Sequence, residues 1–74
     1  MIKLSPKELE AVTLFAKLGR WTLVAERMSV SIGTAKTHKE SAMRKLGAST
    51  SVELVTLAIR RGLVDVNSRK EDDK

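Results

Sequence analysis

Ser31-Ile32-Gly33-Thr34-Ala35-Lys36-Thr37-His38-Lys39-Glu40-Ser41-Ala42-Met43-Arg44-Lys45-Leu46-Gly47 reads as one complete helix. A serine able to accept a hydrogen bond from the first free amides opens it, and a glycine able to take positive φ closes it. At a helical step of about 100° per residue, Ala35, Ala42 and Leu46 share one narrow sector, while Gly33, Lys36, Thr37, Glu40, Ser41 and Arg44 fill the opposite side. One face is built for a core. The other carries small residues first, then cations, a hydroxyl and a carboxylate, the side-chain types that reach into a wide polar groove and read base edges.

Immediately upstream, Trp21 to Met28 is a short amphipathic segment with Leu23, Val24, Ala25 and Met28 apolar and Glu26 and Arg27 outward. Arg20 stands where a capping serine or threonine would serve better. Ser29-Val30 leaves only a tight connection to Ser31, with Val30 tucked under the bend, so the two segments form a helix-turn-helix. Before them, Ser5-Pro6-Lys7-Glu8 combines an N-cap serine, a first-turn proline and a glutamate three residues after the cap, the reciprocal capping box. Leu9, Val12, Phe15 and Ala16 then recur at helical spacing up to Gly19. Leu14 and Leu18 widen the apolar arc, which predicts a first helix packed on two sides. Downstream, Thr50-Ser51-Val52-Glu53 is a second capping box, and Gly62-Leu63 predicts a Schellman-type end. The expected fold is all-α, with four helices at about 6–18, 21–28, 31–46 and 51–61. The fourth is apolar over more than half its circumference, more than one small core covers, so part of it is expected to pack under the tail or against another chain. Residues 1–66 read as one domain and residues 67–74 as a polar, disordered tail.

Composition narrows the function. The 74 residues carry a formal net charge of +5, and the charge is unevenly placed. Through Val64 there are eleven Lys and Arg against five Glu (+6), and from Asp65 onward three against four acidic residues (−1). The folded part is more basic than the whole, which favours a polyanionic partner. With no cysteine and one histidine, thiol chemistry, disulfides and histidine-rich metal sites are excluded. No metal ion, cofactor or small-molecule ligand is expected. No apolar run approaches the roughly 20 residues of a membrane span, and the first residues lack a signal-peptide core. The expected location is the bacterial cytoplasm, at the nucleoid.

Leu4-Ser5-Pro6-Lys7-Glu8-Leu9-Glu10, Ala25-Glu26-Arg27-Met28, Ser31 with Thr34-Ala35-Lys36-Thr37-His38, Met43-Arg44-Lys45-Leu46-Gly47, and Glu53-Leu54-Val55 with Leu57-Ala58 together resemble the LuxR/GerE/FixJ/NarL type of bacterial DNA-binding domain. The resemblance runs without a gap from about Leu4 to Val64. It implies a four-helix fold whose third helix enters the major groove of double-stranded DNA and whose fourth pairs two subunits of a homodimer. RNA polymerase is a further candidate partner. By the same resemblance, Lys36, Thr37 and Glu40 fall on positions that face bases or adjacent phosphates, Thr34 on one that grips the backbone, and His38 on a frequent histidine of the motif. Two departures stand out. The loop and second-helix start commonly run Gly-x-Ser/Thr-Asn-Lys/Arg-Glu-Ile-Ala, whereas Leu18 to Ala25 here read Leu-Gly-Arg-Trp-Thr-Leu-Val-Ala, and Gly33 replaces a common lysine. Most relatives also carry a receiver or ligand-binding domain ahead of this module. Nothing precedes Leu4 except three residues, which suggests a stand-alone regulator or an excised domain.

The candidate DNA contacts are therefore Thr34, Lys36, Thr37, His38, Lys39, Glu40, Ser41 and Arg44, with Arg20 and Trp21 as substitutes for the missing second-helix contacts. Each has a plainer reading. Lys36, Thr37 and Arg44 could be an ordinary solvated face; Glu40 could be a carboxylate helped by Arg44 at i+4 rather than a reader of cytosine. His38 reads first as a packed structural residue, since no nucleophile or carboxylate is placed to work with it and catalysis is not expected. Trp21 reads first as packing, with a phosphate or partner contact as the alternative. Lys39 packs its stem and extends its ammonium toward the DNA backbone, and Lys45 adds to affinity. On the fourth helix either Val52, Thr56 and Ile59 or Glu53, Leu57 and Arg60 form the dimer seam. The alternative of another class is a protein-interaction module or small antagonist that pairs with a full-length relative and binds DNA weakly or not at all. A promoter-reading fragment like region four of a sigma factor shares the helix-turn-helix but not the fourth-helix pattern.

Overall fold

The computed structural model describes residues 3–64, and the tail expected to be disordered, 67–74, lies outside them. Four helices follow in order: α1 (Pro6–Leu18), α2 (Trp21–Met28), α3 (Ile32–Leu46) and α4 (Ser51–Arg60). Each boundary follows from local chemistry. The Ser5 hydroxyl accepts from the Glu8 amide while the Glu8 carboxylate accepts from the Ser5 amide at 2.8 Å, completing the box the sequence predicts. Ser31 accepts from the Thr34 amide, so it caps α3 from outside rather than opening its first turn. Thr50 accepts from the Glu53 amide, but the Glu53 carboxylate reaches one residue further back than the usual box, to the Ser49 amide at 2.8 Å. At the far end of α4 the Leu63 amide donates to the Ala58 carbonyl and the Gly62 amide to the Ile59 carbonyl, the expected Schellman pair, with Gly62 at φ +75°. Arg61 becomes the C-cap, so the helix is one residue shorter than its periodicity suggests.

The helix-turn-helix bend holds a feature its composition does not announce. Ser29 adopts the left-handed conformation (φ 60°, ψ 42°), a position that favours glycine, and its amide donates to the Glu26 carbonyl. The Val30 amide closes the turn on the Ala25 carbonyl, and its half-buried side chain packs beneath the bend as expected.

Both α1 and α3 pack against each of the other three helices. Two apolar clusters result, one on each side of α1, as its wide apolar arc requires. Val12, Ala42, Leu46, Leu54 and Ala58 form the larger one between α1, α3 and α4, closed by Leu4 and Val64 from the two ends of the described chain. Ala11, Val24 and Met28 form the smaller one between α1 and α2, with Leu14, Phe15 and Val30 around them. Trp21 touches both. Ala35, Ala42 and Leu46, the inner sector of α3, are buried, which fixes how that helix is rotated and which side it turns outward.

Candidate nucleic-acid interface

Because the inner sector of α3 is anchored, its outer one is presented as a rigid surface. Gly33, Thr34, Lys36, Thr37, Glu40 and Arg44 are exposed, while His38, Lys39 and Ser41 are half-buried along its edges. The described residues form two salt bridges, Lys7 with Glu10 and Lys45 with Glu8, so Lys36, Lys39 and Arg44 have no carboxylate partner among them. Lys36 and Arg44 on the exposed face, with Lys39 at its edge, make this side of α3 positive, which attracts an anion and releases counterions when it binds one.

The hydroxyls are differently prepared. Thr34 accepts from the Ser31 hydroxyl at 3.1 Å, leaving its own O–H free to donate outward. Thr37 donates its hydroxyl to the Gly33 carbonyl at 3.0 Å, so outward it can only accept, or offer its methyl group. The amides of Ile32 and Gly33, in the first turn, lack an intrahelical acceptor and point along the helix axis toward any approaching anion. Arg20 is exposed at the start of α2 and makes no capping hydrogen bond there. No side-chain hydrogen bond ties His38 among the described residues, and its side chain is half-buried.

Three expectations change. Glu40 is not helped by Arg44: among the described residues no ion pair joins them, and the guanidinium leans to the Ser41 hydroxyl at 3.5 Å. Trp21 does not keep its indole N–H free for a phosphate. The N–H donates to the Ser51 hydroxyl at 3.0 Å, the ring stacks on Phe15 at 4.4 Å between centroids, and the Lys39 ammonium lies 5.9 Å above it. Lys45 turns away from the outer strip, its ammonium 2.8 Å from the Glu8 carboxylate. Burial pushes the Glu8 carboxyl up, but the bond from Lys45, the Ser5 amide and the Lys45 charge outweigh it and hold it below the usual range. Nothing local hints at this pair, because the partners stand 37 residues apart.

On α4 the two candidate seams separate. Leu57 packs against the larger cluster and the Glu53 carboxylate is engaged at the helix start. Val52 is 72% exposed and Ile59 37%, with Thr56 exposed between them and Arg60 on the neighbouring flank. Among the described residues, Leu23 and Ile32 are the other large apolar side chains in the open, on α2 and at the first turn of α3.

Comparison with known proteins gives this arrangement a context. Residues 3–58 match the family described as bacterial regulatory proteins, luxR family. The oxygen regulatory protein NreC of Staphylococcus aureus strain JH9 is 39% identical over 62 residues, which is 84% of this chain and 29% of NreC. NreC of strain JH1 matches to the same extent. The VqmA dimer of Vibrio cholerae, a LuxR-type receptor studied without its target DNA, superposes with a TM-score of 0.80 at 27% identity, covering 92% of this chain and 32% of VqmA. The chain thus spans about a third or less of the length of these relatives. With the family matched over residues 3–58 and the four-helix fold shared with a LuxR-type receptor, this chain belongs to the luxR family of bacterial regulatory proteins and carries its helix-turn-helix domain.

Proposed function

We propose that this chain is a sequence-specific, double-stranded-DNA-binding transcription regulator of the bacterial cytoplasm that acts by binding, not catalysis. The observation that carries this reading is the outward side of α3: Lys36 and Arg44 on its exposed face and Lys39 at its edge, none with a carboxylate partner among the described residues, on a helix whose opposite face is locked into the core. In this reading α3 enters the major groove. Lys36 donates to guanine or a neighbouring phosphate, Thr34 donates to the backbone, Thr37 accepts from a base amino group or packs on a thymine methyl, and Arg44, Lys39 and Arg20 grip phosphates. Glu40, with no salt-bridge partner among the described residues, accepts from a cytosine amino group or repels sequences that place an acceptor opposite it.

The chain acts as a homodimer through α4. The exposed face of Val52, Thr56 and Ile59 supports this seam over the one with Glu53, Leu57 and Arg60, whose leucine already belongs to the core. A two-fold dimer places half-site centres about one helical turn, roughly 10 bp, apart. A fluorescence titration with random duplex at low and moderate salt tests the DNA reading: affinity should fall steeply with salt. Selection of bound duplexes from a random pool then returns site, spacing and symmetry. Binding that is absent at low salt, or indifferent to salt, would refute it. The outcome would then favour a protein-interaction module that pairs with a full-length relative, a reading supported by the same open α4 face and the altered start of α2.

A further inference from the structure

Trp21 sits at the first position of α2 and meets three elements at once. Its ring stacks nearly parallel on Phe15 of α1, at 10° between planes, and its N–H donates to Ser51 at the start of α4. The Lys39 ammonium of α3 lies over the ring, 5.9 Å from the centroid. The stack and the hydrogen bond fix the ring's position and rotation, so its electron-rich surface is a stationary platform. Lys39 has a half-buried side chain, and its ammonium donates to no acceptor among the described residues. A flexible lysine that must be ordered on binding loses most of its side-chain rotamer entropy. One already held over an aromatic face loses less, and its three N–H donors remain available.

We propose that Trp21 is a positioning residue for DNA binding: pinned by Phe15 and Ser51, it holds the Lys39 ammonium at the junction of α2 and α3, ready for a backbone phosphate. This deepens the proposed function and rests on it. Where the family resemblance implies a polar second-helix start, Trp21 works instead through the lysine of another helix. A purely structural tryptophan would support affinity without altering how many phosphates are neutralised. A positioning one changes that number through Lys39.

The test is a double-mutant cycle with a random-sequence duplex, read as affinity and as the slope of log affinity against log salt, on variants whose melting is checked by circular dichroism. Lys39→Met should weaken binding by about tenfold and reduce the slope by about 0.9, one phosphate contact. Trp21→Leu should do most of the same, slope included, although it removes no charge. In the Lys39→Met background, Trp21→Leu should change neither quantity further. Ser51→Ala keeps the ring but frees its N–H, and should shift both quantities in the same direction by less; it carries the test if Trp21→Leu does not melt cooperatively. An unchanged slope in Trp21→Leu, or in Ser51→Ala when that variant carries the test, overturns the inference, as does strict additivity with Lys39→Met, while the DNA reading stands. Failure of the wild-type chain to bind duplex at low salt overturns both.

Discussion

Replacing Lys45 with methionine keeps an aliphatic side chain of similar length and removes the charged end that meets Glu8 of α1. Its consequence follows from the environment of Glu8, which is 7% exposed and receives two 2.8 Å bonds on one carboxylate oxygen, from the Ser5 amide and from Lys45. Without the ammonium, the buried carboxylate keeps the cap but loses its countercharge. Breaking a fully buried pair costs about 3–5 kcal/mol. The Lys45 side chain is 42% exposed, so water screens the pair and replaces part of the loss, and about 1–2 kcal/mol is expected. For a domain of this size that is a fall in Tm of roughly 5–15 °C.

Glu8→Gln keeps an acceptor for the Ser5 amide without the charge, so adding Lys45→Met to Glu8→Gln should cost little, leaving a coupling of about 1 kcal/mol in the cycle. The pH dependence has a definite sign. The folded-state pKa of Glu8 is depressed, so the pair's contribution is fully present above the unfolded pKa of about 4.3 and is lost as pH falls through the lower folded value. The stability gap between wild type and Lys45→Met should therefore be constant near neutrality and close in acid. Urea melts followed by circular dichroism across that range measure it. An unchanged midpoint for Lys45→Met at pH 7, or a gap that widens in acid, would refute the reasoning.

Other substitutions separate folding from binding. Lys36→Ala, at an exposed position with no carboxylate partner among the described residues, should abolish sequence-specific binding while leaving Tm within about 2 °C of wild type; unchanged operator affinity would remove α3 from the groove. Ile59→Glu should turn the dimer into a monomer with little loss of monomer stability, whereas Leu57→Glu should destabilise the fold itself by about 2 kcal/mol or more. Sedimentation and melting distinguish the two, and a dimer surviving Ile59→Glu would exclude this seam. Gly33 has helical φ, and a Cβ there would meet only the Ser31 hydroxyl at 3.8 Å. Gly33→Ala should raise stability by about 0.5–1 kcal/mol in a thermal melt, and a loss would show that something already approaches that backbone.

The amino-acid sequence alone determined the parts of this protein whose physics is local. Ser5, Ser31 and Thr50 satisfy amides three residues away, and Gly47 and Gly62 end helices through a conformation glycine takes without strain, so the helices were legible to within a residue. The turn at Ser29 was legible as a turn, though its left-handed serine was not, since serine carries no preference strong enough to announce it. Helical periodicity likewise exposed which side of α3 faces inward, because Ala35, Ala42 and Leu46 have no other use.

What a side chain does once two helices meet was decided only by the tertiary structure. Lys36 and Lys45 look alike in a row of residues, yet one stands at the surface with no carboxylate partner among the described residues and the other closes on Glu8 across 37 positions. Trp21 could have offered its N–H to a phosphate; Ser51, 30 residues on, takes it instead. Val52 and Leu57 are both apolar on one helix, and only the rotation of α4 against α1 and α3 leaves the valine outside and draws the leucine in. The physical reason is common to all three. Caps and periodicity depend on neighbours fixed by the covalent chain, whereas pairing between helices depends on their crossing and rotation, which packing of the whole core selects.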